Sequence, residues 1–118
     1  MNELVGRLVA EHGIDRDVAE KAVGIIIAFL IKEGPPDKVK PLLDRMPGAE
    51  AAAEASGAGG GFGMGGIMGA GAALMGLGLS MPQVQAVTRT VLAYARETAG
   101  EDAVGEIVGA IPGLSQFT

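Results

Sequence analysis

From Ala22 to Ile31 the chain reads AVGIIIAFLI, ten residues in a row without a polar side chain. The stretch lies inside a longer segment with helical spacing, and a helix that is apolar all round must be buried or paired. A chain that carries it has to supply neighbours on every side. Its 118 residues suffice for one ordinary domain, and 48% apolar residues suffice for a core. Aromatics are only 3%, so that core must be built from Val, Ile, Leu, Ala and Met.

Turn signals divide the chain. Residues 3–12 read as an amphipathic helix with Leu4, Val5, Leu8, Val9 and His12 on one face, and Gly13 ends it. Asp15 stands where a side chain can cap the next helix, with Ile14 as a hydrophobic staple against Ala19. That helix runs to about Glu33, where Gly34-Pro35-Pro36 stops it. A shorter third helix turns Val39, Leu42, Leu43 and Met46 inward, contains Pro41, and is closed by Pro47-Gly48. Residues 50–65 form an Ala/Gly-rich linker whose glycine run cannot hold a helix.

Residues 62–79, FGMGGIMGAGAALMGLGL, carry no charge. On a helical wheel Met64, Met68, Met75 and Leu79 make one stripe. Gly65, Gly69, Ala72 and Gly76 make an adjacent ridge of small residues, a pattern that lets helix backbones approach closely. Ser80 then caps a long helix, with Leu79 as staple against Val84 and Pro82 in the first turn. This helix buries Val84, Val87, Val91, Leu92 and Tyr94 and ends near Ala99-Gly100. A short last helix buries Val104, Ile107, Val108 and Ile111 before Pro112-Gly113-Leu114.

The second half repeats the plan of the first at an offset of 65 residues. Gly13 meets Gly78, Ile14 meets Leu79, and Asp15 meets Ser80. Ile26-Ile27-Ala28-Phe29 meets Val91-Leu92-Ala93-Tyr94, and Met46-Pro47-Gly48 meets Ile111-Pro112-Gly113. Few of these positions are identical, but each cap, apolar position and stop has a structural reason to recur. The expected fold is all-α: two pseudo-repeated three-helix units, 1–49 and 66–118, joined by the linker. Each is smaller than the ~70–80 residues at which a lone core becomes comfortable, so the two should pack on one another.

The segment GLSMPQVQAVTRTVLAYARETAGEDAVGEIVGAIPGLSQF, residues 78–117, resembles the small bacterial VcgC/VcgE-type family, a domain of unknown function. The likeness rests on the helix start and on the Ile111-Pro112-Gly113-Leu114 ending. Residues 13–49 depart from it, with Met46-Pro47-Gly48-Ala49 as the ending and a double proline between helices. The resemblance implies a helical, bacterial, non-catalytic protein and supplies no site residues.

Composition narrows the function classes. The net charge is −5 with no basic patch, which disfavours nucleic acid or an anionic membrane as partner. There is no cysteine, hence no disulfide or thiolate chemistry. The first residues, MNELVGRLVAEHG, do not read as a secretory signal, so the cytoplasm is the expected compartment. Gly61 to Gly66 formally spell GxGxxG, but no strand precedes them and no acidic residue follows at the required distance. His12 is the only histidine and reads as structural at a helix C-terminus. Asp15 and Asp17 read as first-turn residues rather than a metal pair, and Glu97, Glu101, Asp102 and Glu106 as a solvated acidic surface. The methionine stripe reads first as packing; lipid contact or a thioether copper(I) site are the other chemistries it permits. Residues 62–79 reach the minimum length of a membrane span but are glycine-rich and lack basic flanks.

No nucleophile, base and orienter can be assembled, so no enzyme, cofactor or metal site is expected. The expected function is a helical interaction module that associates with itself or another protein. Its candidate surfaces are Gly24, Ala28 and Ile31 on the second helix, and Met64, Gly65, Met68, Gly69, Ala72, Met75 and Gly76 on the Gly/Met segment. The alternative is a binder of an apolar small molecule or lipid in a Met-lined groove, or membrane association through 62–79.

Overall fold

The structure, a computed structural model, describes residues 2–46, 48, 51 and 66–111. Among them six helices are delimited and no strand occurs: α1 (Asn2–His12), α2 (Arg16–Glu33), α3 (Pro36–Asp44), α4 (Gly66–Met75), α5 (Met81–Ala99) and α6 (Glu101–Ala110). The fold is all-α. The linker before Gly66 apart from Ala51, which is helical and exposed, the GxGxxG stretch up to Gly65, and Pro47 and Pro112 of the two Pro-Gly stops lie outside the described residues.

Helix α2 is enclosed as its composition requires. Ala22 to Leu30 are buried without interruption, and only Ile31 at the end of the apolar run is exposed. The covering comes from α1, α3, α4 and α5, all of which pack on α2. Helix α1 lies on α5 as well as on α2, and α4 lies on α2 as well as on α5. Helices α3 and α6 pack on each other. The first helix of each set of three therefore reaches across to the long helix of the other set. One core results, in which Leu4, Leu8, Ile27, Leu30 and Leu42 join Val84, Val87, Leu92 and Ile107. Each inward position read from periodicity in α3, α5 and α6 is buried.

The turns show where backbone geometry demands glycine. Gly13 and Gly78, 65 positions apart, both sit in the left-handed region, at φ 64° and 95°. Any side chain is strained there. Gly34 stops α2 for another reason. Its φ is −82°, which any residue can adopt. A Cβ there would lie 2.6 Å from the Leu30 carbonyl oxygen and 2.6 Å from Val39 Cγ2. The α2–α3 corner is thus closed by contact, with α3 folded directly onto the end of α2.

The two long helices begin differently. Ser80 accepts a bond from the Gln83 amide while the Gln83 side chain accepts from the Ser80 amide, a complete capping box. Asp15, expected to cap α2 in the same way, makes no side-chain cap bond; only its carbonyl enters the helix, accepting from the Ala19 amide at 2.8 Å. With valine rather than glutamine three positions on, the reciprocal half of a box is missing. Ser80→Ala is therefore expected to lower stability by about 1 kcal/mol, and Asp15→Ala by much less. Thermal melts of the two variants distinguish them, and equal losses would show that Asp15 caps α2 in solution.

The glycine/methionine segment departs most from its pattern. Its helix has ten described residues and ends at Met75, followed by a turn through Gly76 to Gly78. The inward stripe is Ala70 and Leu74, flanked by the partly buried Ala73 and Leu77. Gly69 is buried, but Ala72 and Gly76 are exposed. Of the ridge, the described members Gly69, Ala72 and Gly76 do not share one face, because the turn takes Gly76 off the wheel and Ala72 is exposed where Gly69 is buried. Met75 is exposed, whereas Leu79 is buried beyond the turn.

Candidate functional site

Part of the apolar surface among the described residues is concave. At the α2–α3 corner Ile31, Pro36, Val39, Lys40 and Leu43 line an open groove of about 210 Å³. Val39 and Leu43 are buried and form its base, whereas Ile31, Pro36 and Lys40 stand on its rim. The close approach at Gly34 builds this groove, since it fixes α3 against the last turn of α2. Ile31 is 43% exposed, a large β-branched side chain left in water at the end of a helix otherwise enclosed. Met75 at 47% and Met81 at 50% are the other large apolar side chains exposed among the described residues.

The remaining expected surface residues divide. Gly24 and Ala28 are buried by the fold itself and offer no outer face. Gly69 is likewise buried, while Ala72, Met75 and Gly76 are exposed. Met64 and Gly65 lie outside the described residues, as does the side chain of Met68. The structure therefore brings Ile31 together with residues of α3 rather than with Gly24 and Ala28.

Periodicity gave no sign of a set of polar contacts between the first three helices and the last three. The Arg7 guanidinium donates from Nη1 to Glu97 Oε2 at 2.7 Å and from Nη2 to Glu97 Oε1 at 3.3 Å. It also lies 5.6 Å from the centroid of the Tyr94 ring, within cation–π range. This hydrogen bond holds the Glu97 carboxyl below its ordinary value and raises Arg7 above its own. Lys38 Nζ lies 2.9 Å from Glu106 Oε2, and that bond raises the lysine. Glu97 and Glu106, expected only as solvated surface, are thus each paired with a cation of the first half. His12 Nε2 lies 2.9 Å from Thr90 Oγ1. The Thr90 hydroxyl already donates to the Ala86 carbonyl at 3.0 Å, so the His12 N–H is the donor. Sequence gave no signal for these pairs, because the partners are charged or polar surface residues 68 to 90 positions apart.

Among the described residues no group of three or more His, Asp or Glu could hold a metal ion, and no helix is long and apolar enough to cross a membrane. The polar side chains paired across the two halves, Arg7–Glu97, Lys38–Glu106 and His12–Thr90, are opposite-sign or donor–acceptor pairs between helices. Compared with protein-family models, with curated proteins and with solved structures, the chain matches none.

Proposed function

We propose that this chain is a non-enzymatic helical interaction module that associates with a second copy of itself through the α2–α3 corner. The observation that carries this is Ile31, exposed on the rim of an apolar groove at the end of a helix otherwise enclosed. Covering the 43% of Ile31 still exposed contributes about 1 kcal/mol to an association, under half of what full burial of such a side chain is worth. The groove size favours a protein partner over an apolar small molecule. At about 210 Å³ it is smaller than the ~300–1,000 Å³ of small-molecule sites, and it suits one or two anchoring side chains. The charged pairs support a non-catalytic reading, since each joins helices at the surface and none places a lone acid or base in a cleft. A cytoplasmic setting goes with this reading, and so does an origin of the two halves by duplication, supported by the matched turn glycines Gly13 and Gly78.

Light scattering on a sizing column, over a range of loading concentrations, tests the surface. The wild-type mass should rise toward two chains with concentration. Ile31→Asp should weaken that association at least tenfold, with an unchanged helical circular dichroism spectrum. A wild-type mass of one chain at every concentration, or an unchanged association in the variant, would overturn the proposal.

A further inference from the structure

Much of the helix packing in this molecule runs between its first three helices and its last three. Helix α1 is seated on α5 and α4 on α2, so each half covers the long helix of the other. Three side-chain pairs cross the same boundary: Arg7 with Glu97, Lys38 with Glu106, and His12 with Thr90. The surfaces are complementary in charge, with the cations on α1 and α3 and the carboxylates on α5 and α6. Each half, residues 1–49 and 66–118, is smaller than the ~70–80 residues at which a lone core suffices. The half–half surface must therefore form, whichever copy supplies the second half.

The covalent link does not decide which copy that is. Residues 47–65 lie between Met46 and Gly66. At ~3.3–3.6 Å per residue such a length reaches at most roughly 60 Å, and less with Ala51 in a helix, against a longest molecular dimension of 32 Å. We propose that a second copy of this chain can be joined by reciprocal exchange of halves, α1–α3 of each copy seating on α4–α6 of the other. The exchange closes as a two-fold pair and leaves no unmatched surface. It deepens the self-association reading by assigning a second surface, distinct from the Ile31 corner. Tethering the two halves in one chain raises their effective concentration for one another, at most to the order of mM. Self-closure therefore prevails in dilute solution, and exchange requires refolding at high concentration or a bias against self-closure.

Charge reversal supplies that bias. One full-length chain carries Arg7→Glu with Lys38→Glu; the other carries Glu97→Arg with Glu106→Lys. Within either chain both ion pairs become like-charge contacts. In an exchanged pair of one of each, one half–half boundary has both ion pairs reversed and the other has both as in the wild type. The two are refolded separately and as an equimolar mixture, and their masses and helicity are recorded. The mixture should yield mixed dimers in clear excess over the half of all dimers that random pairing gives, with wild-type helicity. If the separate chains fail to fold, recovery of helicity only on mixing supports exchange equally. Monomers alone, dimers in random proportion, or no helicity in the mixture would overturn the proposal. Ile31→Asp introduced into both chains separates the two surfaces. Mixed dimers that persist confirm exchange, and mixed dimers that vanish assign the association to the Ile31 corner and refute exchange.

Discussion

Ile26→Ala and Leu92→Ala should each destabilise the protein by about 2–5 kcal/mol, the range for truncating a large buried aliphatic side chain. Ile26 is 3% exposed on α2 and Leu92 1% exposed on α5, each in the middle of its helix. Both helices are covered from both halves of the chain, so neither site can collapse without moving helices on two sides. A urea series on each variant measures the loss. Because the halves share one core, the two variants should each unfold in a single transition with unchanged slope. Two separate transitions, with each mutation shifting only one, would mean that the halves are independent cores.

Gly34→Ala should be the other costly change, although it adds one methyl group. The new Cβ would lie 2.6 Å from the Leu30 carbonyl, which accepts the Gly34 amide at 2.8 Å and so ends α2. That backbone cannot retreat without losing the bond, and Val39 Cγ2 blocks the other side at 2.6 Å. Overpacking of this kind typically costs about 1–3 kcal/mol, and here it also pries open the corner that forms the Ile31 groove. Gly13→Ala is the control. Its φ is +64° and nothing lies within 4 Å of its Cβ, so its cost is conformational, about 1–2 kcal/mol. Thermal melts should show both losses, but only Gly34→Ala should also weaken self-association. Equal self-association in the two variants would detach the groove from Gly34.

Much of the fold was legible because it follows local rules. Apolar spacing placed Leu4, Leu8, Val39, Leu42, Val91 and Ile107 inside, and the turn glycines and the Ser80 cap fell where backbone geometry requires them. What sequence missed depends on tertiary neighbours. Asp15 has the right type for a cap, but the side-chain bond is not made. Gly34 was legible as part of a helix stop, but its close approach to Leu30 and Val39 is revealed only by the position of α3. The wheel of residues 62–79 assumed a helix running through Gly76, so it grouped Gly69 with Ala72 and Gly76, on opposite sides of the surface boundary. At the candidate site Ile31 was legible as the last residue of an apolar run, but Pro36, Val39, Lys40 and Leu43 join it through the folding of α3 across Gly34.

Native mass spectrometry of the full-length chain, purified from its own source without refolding, bears most directly on self-association. It reports the assembly mass and any retained small molecule together. At micromolar concentration a mass of two chains with no adduct is expected, falling to one chain for Ile31→Asp. A single-chain mass carrying a stoichiometric apolar adduct would contradict the interaction module and make the protein a ligand carrier.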